Sequence, residues 1–89
     1  MLIALIARDK PSALQTRLDN REAHIAYLKE TGVVSQAGPL LDEDGNMAGS
    51  LVILDVADMA QAQDWASNDP YAKAGLFGSV DLIEWKKVI

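Results

Sequence analysis

The chain predicts an α+β fold: a ferredoxin-like βαββαβ order, with a four-stranded antiparallel sheet carrying two helices on one face. Three observations support this. Apolar extended runs recur at the start, middle and end of the chain, two helix-period segments separate them, and turn residues mark the junctions. With 89 residues the sequence has room for one domain, 1–89, near the lower limit at which a single core stabilises a fold comfortably.

Residues 1–8 read as the first strand, and Lys10-Pro11-Ser12 breaks the extended run. Pro11 or Ser12 suits the start of a helix. Leu14, Leu18, Arg21, Ile25 and Leu28 then recur at spacings of four and three, a helical stripe that is apolar except at Arg21. Gly32, after Thr31, tolerates the left-handed conformation that ends such a helix. Val33 to Leu41 reads as the second strand, and Pro39 within it implies an edge position or a bulge. Asp42 to Asn46 has the composition of a hairpin loop, and Met47 to Val56 returns as the third strand. Asp58 is a natural N-cap for a second helix through about Ser67, with Met59, Ala62 and Ala66 inward and Trp65 beside them. Residues 70–76 read as a turn rich in small residues, and Phe77 to Ile89 as the last strand.

Leu51-Val52-Ile53-Leu54 is apolar at every position, as is most of Met1 to Ala7. An antiparallel sheet with one wet face should alternate instead. Two helices cover one face only, so the pattern predicts a second subunit stacked on the other, making the protein a homodimer. Trp85, which alternates with Asp81 and Ile83, is the candidate for that interface, whereas Trp65 is expected to pack in the core.

Composition excludes several classes. Lys+Arg 8 against Asp+Glu 13 gives a net charge of −5, which argues against a broad nucleic-acid or anionic-membrane surface. There is no cysteine, hence no disulfide, thiolate nucleophile or Cys-based metal site. A single histidine makes a poor metal site, and the acidic 42–44 run lacks calcium-loop spacing, so no metal or cofactor is expected. The apolar start is too short for a membrane span and lacks a basic lead, so the expected location is cytoplasmic.

His24 is the one place where acid/base chemistry is easy to build, because imidazole titrates near neutrality and a neighbouring carboxylate can fix its tautomer. Arg17, Arg21, His24 and Leu28 form a second stripe on the first helix. Two arginines beside the imidazole would favour its neutral form and hold an anionic or enolic substrate. Alternatively, they are solvated residues paired with Asp19, Glu22 or acids at strand ends. In Asp69-Pro70-Tyr71 the aspartate either ends a helix, as Asp before Pro commonly does, or points at the imidazole while Tyr71 supplies a hydroxyl donor. Gly38-Pro39 and Gly49-Ser50 lie across the hairpin from each other, as a bulge and its partner or as a close approach of backbone to ligand.

Taken in order, Arg21-x-x-His24, Gly38-Pro39-Leu40, Gly49-Ser50, Asp69-Pro70-Tyr71 and Gly75-Leu76 resemble the YciI-like (YCII-related) family of the dimeric α+β barrel group. The match runs through nearly the whole chain. It implies a ferredoxin-like fold paired back to back, with His24 and Asp69 as the catalytic pair in a pocket between helices and sheet. Arg21, Tyr71, Ser50, Gly38 and Gly49 would be the substrate-binding residues nearby. Most of the family has no assigned reaction, though a related member type is a dehydrochlorinase of chlorinated hydroxyquinols. Three readings follow. His24 and Asp69 serve an enzyme of small apolar, phenolic or anionic compounds by proton transfer, isomerisation or elimination; or the pocket belongs to a non-catalytic binding or accessory module; or the pair is structural, tying two helices together in a dimer.

Overall fold

A computed structural model describes all residues, 1–89. The elements are β1 (Leu2–Asp9), α1 (Leu14–Thr31), β2 (Val34–Leu41), β3 (Met47–Asp55), α2 (Met59–Asn68), α3 (Pro70–Lys73) and β4 (Phe77–Trp85). The strands form one sheet in the order β2-β3-β1-β4, and every neighbouring pair is antiparallel. This is the ferredoxin-like βαββαβ arrangement, with α3 as a short addition. Pro39 sits on β2, an edge strand, where its missing N–H costs no ladder bond. The register shifts in β2 fall near its two ends, between Val34 and Gln36 and between Leu40 and Leu41, leaving Gly38-Pro39 in regular pairing with Leu51 and Ser50.

The period of two in β1 and β3 sorts side chains between the faces. Ile3, Leu5 and Ala7 pair with Leu54, Val52 and Ser50, and these apolar residues join Val56, Ala62 and Trp65 in the core beneath the helices. The Trp65 indole N–H donates to Thr31 Oγ1 at 2.9 Å, and the Tyr27 hydroxyl donates to the Trp65 carbonyl at 2.8 Å. Together they lock α2 against α1. On the other face, Leu51, Ile83 and Trp85 are exposed and Ile6 is half-buried, so the predicted two-sided apolar character is present in the sheet.

Local chemistry sets most boundaries. Gly32 caps α1 at φ 68, a left-handed conformation that costs glycine nothing. The Asp58 carboxylate accepts from the Gln61 N–H, while Gln61 Oε1 accepts from the Ala57 N–H, closing the first turn of α2 reciprocally. At the hairpin, Asp42 Oδ1 accepts from the N–H groups of Asp44 and Asn46, so this acidic run is folded on its own backbone.

Four expectations are corrected. The 70–76 stretch is not simply a turn: Asp69 caps a new helix that Pro70 begins, where proline's fixed φ and missing N–H are no burden. α1 begins at Leu14 with no side-chain cap, and Ser12 takes a left-handed φ of 58 instead of capping it. β4 ends at Trp85, leaving Lys86 to Ile89 outside the sheet. The apolar stripe of α1 is not its buried face either. Leu14, Leu18 and Ile25 are exposed, whereas Arg17 and His24 are buried, because this helix covers a polar cluster.

A Cβ placed on Gly49 would collide with the backbone carbonyl oxygen of Ala7 on the neighbouring strand. Backbone cannot yield as a flexible side chain can, so Gly49→Ala is expected to cost about 1–3 kcal/mol in urea denaturation. Gly38→Ala, with open space at the same position, should cost less.

Candidate active site

The site is built on α1, the end of β1, β3 and the α2–α3 junction. His24 faces inward from α1, and its Nδ1 lies 2.7 Å from Asp69 Oδ1. Pro70 disfavours helical geometry at Asp69, so α2 ends there in an extended conformation and the chain turns into α3. The same Oδ1 accepts from the Tyr71 N–H at 3.0 Å. The aspartate therefore both caps α3 and meets the imidazole, and the two alternatives open in the sequence hold together. Opposite a carboxylate that accepts, Nδ1 is the donor, and Nε2 is the ring nitrogen left for another partner.

Tyr71 stacks on His24 with ring centroids 3.8 Å apart and planes 13° from parallel. Arg17 lies over the same tyrosine ring, 4.7 Å from its centroid. The seven-residue spacing from Arg17 to His24 is two helical turns, roughly 10 Å of rise, which leaves room for one aromatic ring between them. Tyr71 fills that gap, with the guanidinium on one face and the imidazole on the other. Phe77 meets it edge-on, 6.0 Å away.

Arg17 is itself fixed. Nε and Nη2 donate to the two oxygens of Asp9 at 2.8 Å each, and Nη2 donates to Ser50 Oγ at 3.0 Å. Burial works against the Arg17 charge, yet the bond and attraction to Asp9, with the lesser ones to Tyr71, together outweigh it and raise the pKa further. The Tyr71 hydroxyl is also pushed up, mainly by burial, with Arg17 and Arg21 opposing and Asp69 adding to the shift. It remains a donor at neutral pH.

These groups border a cavity of about 170 Å³ between α1 and the sheet. His24, Tyr71, Ser50, Arg21 and Gly38, all singled out from the sequence, line it, with apolar walls from Ile25, Leu28 and Val52. Asp69 stands behind the imidazole. Gly49 lies outside the lining, and its backbone packing against β1 explains the residue. Arg21 is exposed at the cavity's edge, while Arg17 is the buried arginine. Asp9 was not singled out in the sequence. Its signal was a lone acid ending an apolar strand eight residues before an arginine.

His24 Nε2 makes no hydrogen bond with the protein, its ring being bonded through Nδ1 alone. Yet no sealed side-chain nitrogen or oxygen in the structure lacks a partner. Nε2 therefore keeps an opening, and His24 lines the cavity. No group of three or more His, Cys, Asp or Glu residues is arranged to hold a metal, and no helix is long and apolar enough to cross a membrane.

The fold and this cluster define a ferredoxin-like α+β protein with a buried His–Asp pair beside a small cavity. The chain belongs to the YCII-related domain family, whose model matches residues 1–86. It is 37% identical to protein YciI of Escherichia coli, covering 99% of both chains, and equally to an uncharacterised protein of Haemophilus influenzae. Among solved structures, it resembles the 5-chloro-2-hydroxyhydroquinone dehydrochlorinase of Burkholderia phenoliruptrix in complex with 2,5-dihydroxybenzoquinone. That match has a TM-score of 0.88 and 35% identity, covering 97% of this chain and 94% of the enzyme. An antibiotic biosynthesis monooxygenase shares the fold alone, at a TM-score of 0.58 and 12% identity over 98% of this chain and 100% of that one.

Tyr27, like Tyr71, has a raised pKa, chiefly from burial and then from Asp69 and Asp64. Above about pH 10 the unfolded chain gives up tyrosine protons that the folded chain retains. Their contribution to stability is full below that pH and is lost as pH rises through the folded values. Urea melts at rising alkaline pH should show this loss. Replacing both tyrosines by Phe should flatten it, although the double variant is less stable at neutral pH.

Proposed function

We propose that the protein is a small-molecule enzyme in which His24, oriented by Asp69, exchanges a proton with a small phenolic, enolic or otherwise anionic substrate. The reaction class is proton transfer, isomerisation or elimination. Asp69 holds the Nδ1 proton in place, so Nε2 is presented as the base and, once protonated, as the acid. The Tyr71 hydroxyl and Arg21 stabilise the oxyanion charge that develops. The single observation that carries this reading is a buried imidazole whose second nitrogen has no protein partner and opens on a cavity. Likeness to a dehydrochlorinase over nearly the whole chain supports it.

The test uses 5-chloro-2-hydroxyhydroquinone, the substrate in that enzyme's name, and related hydroxylated quinones and phenols. His24→Asn places an amide N–H near the position of Nδ1, keeping a donor for Asp69 while removing Nε2. Turnover is expected to fall about a thousandfold, with the melting temperature nearly unchanged. Undiminished turnover in that variant would end the catalytic reading. Ligand-dependent stabilisation without product would make the protein a binding module. A variant that melts far lower, from a wild type indifferent to every compound, would make the pair structural.

The protein is proposed to work as a homodimer of single domains, 1–89, joined through the sheet face opposite the helices. Leu51, Ile83 and Trp85 stand exposed there, 39%, 55% and 38% respectively, and form an apolar surface that pairing would remove from water. Ile83→Glu is expected to convert the dimer to a monomer in sedimentation velocity runs. A wild type that sediments as a monomer would exclude the pairing.

A further inference from the structure

The helix layer leaves β2 largely uncovered. Val34, Ala37 and Pro39 pair with Leu54, Val52 and Ser50, so they share the helix side of the sheet, yet Ala37 and Pro39 are exposed. α1 overhangs this strip without closing on it. Between them runs a groove of about 420 Å³, lined by Ile25, Leu28, Lys29, Gly32, Val34 and Ala37. Ile25, Leu28 and Ala37 also line the cavity, so the two spaces meet across an apolar sill. Ile25 stands 37% exposed there, on a helix face that the core does not use. The groove's one charge is Lys29, in the last turn of α1, which takes part in none of the chain's ion pairs.

We infer that this groove is a second binding subsite, one that takes an apolar tail ending in a carboxylate, borne by the ring whose acidic group meets His24. Size requires the extension. The cavity's 170 Å³ is close to the ~150 Å³ that holds a benzene-sized molecule and below the ~300 Å³ at which ligand sites usually begin. Joined to the groove, it enters that range. The sill carries no polar side chain, so a polar linker would lose water there without gaining a side-chain partner. What crosses it is hydrocarbon. His24 to Lys29 is five residues, roughly 7.5 Å along the helix, which sets the carboxylate beyond the ring and pairs it with the groove's only cation. The inference rests on the acid/base reading only for which end of the ligand enters the cavity.

Phenol, hexylphenol and hydroxyphenylhexanoate, titrated calorimetrically into the full chain, test the subsite. They present one head with no tail, with a bare tail and with a carboxylate-ended tail. A buried methylene strengthens binding about fourfold, so the wild type is expected to bind hexylphenol at least about tenfold more tightly than phenol. The carboxylate should add about threefold, as an exposed ion pair does. Ala37→Phe fills the sill from an exposed strand position that suits an aromatic residue, and should bring hexylphenol to within about threefold of phenol. Lys29→Glu should abolish the carboxylate's gain, read against hexylphenol in the same variant. No gain from the tail in the wild type, a tail gain that persists in Ala37→Phe, or a carboxylate gain that persists in Lys29→Glu would overturn the inference. So would a tail gain lost only in Ile83→Glu, which would place the tail on the open sheet face. An assembly larger than a dimer that Ala37→Phe dissolves, without any tail preference, would give the groove to a second copy instead. Absent turnover beside an intact tail preference would remove the acid/base reading and leave the groove. His24-dependent turnover with no tail preference would remove the groove alone.

Discussion

One oxygen atom, Asp69 Oδ1, joins the two parts of the protein that make up the candidate site. It accepts from the Tyr71 N–H, which starts α3 immediately after α2 stops, and it meets Nδ1 of His24 on α1. The first contact aims the carboxylate; the second gives the imidazole a fixed tautomer. Without the break that Pro70 imposes, Asp69 would lie within a continuing helix, and Tyr71 would not enter the space beneath α1.

That space accounts for the unusual character of α1. A surface helix ordinarily turns an apolar stripe toward the core. Here the inward positions hold a guanidinium and an imidazole with an aromatic ring between them, and each charged or polar group is matched. Asp9 neutralises Arg17, Asp69 partners His24, and Ser50 takes a further guanidinium N–H. Burying such groups unpaired would cost several kcal/mol each, so the cluster is tolerable only as a complete network. The hydrophobic core proper is displaced toward Trp65 and the paired residues of β1 and β3, where α2 covers the sheet. This division explains how a small domain accommodates a polar cavity. One half of the helix layer supplies burial, and the other holds the polar cluster.

The rigidity of that arrangement has a consequence for function. His24 and Tyr71 are stacked, Arg17 is held by two hydrogen bonds to one carboxylate, and Gly49 allows β3 to approach β1 closely beside Ser50. A group that is already oriented loses little freedom when it engages a ligand, which is the condition under which directed dipoles stabilise developing charge well. Arg21 is exposed at the cavity's edge, whereas Arg17 is buried and held.

The order of elements was legible because it follows from local signals, whereas the pairing of His24 with the 69–71 segment came as what the family resemblance implied. Apolar extended runs, a capping Asp58, a left-handed Gly32 and an Asp-Pro junction are each written in a few neighbouring residues. The sequence also showed strands apolar on both faces, and the sheet carries that pattern. What it could not show was which face of α1 turns inward. Periodicity favours the leucine stripe, whereas burial selected Arg17 and His24, because their partners come from strands and a helix distant in the chain. Asp9 became part of the site for the same reason: a strand end is an anonymous acid until the fold brings a buried arginine to it. Sequence alone determined the fold and singled out the base proposed here, its one histidine. Tertiary structure decided which arginine stands beside that base, since the energy of a buried charge depends on contacts between residues that the linear chain keeps apart.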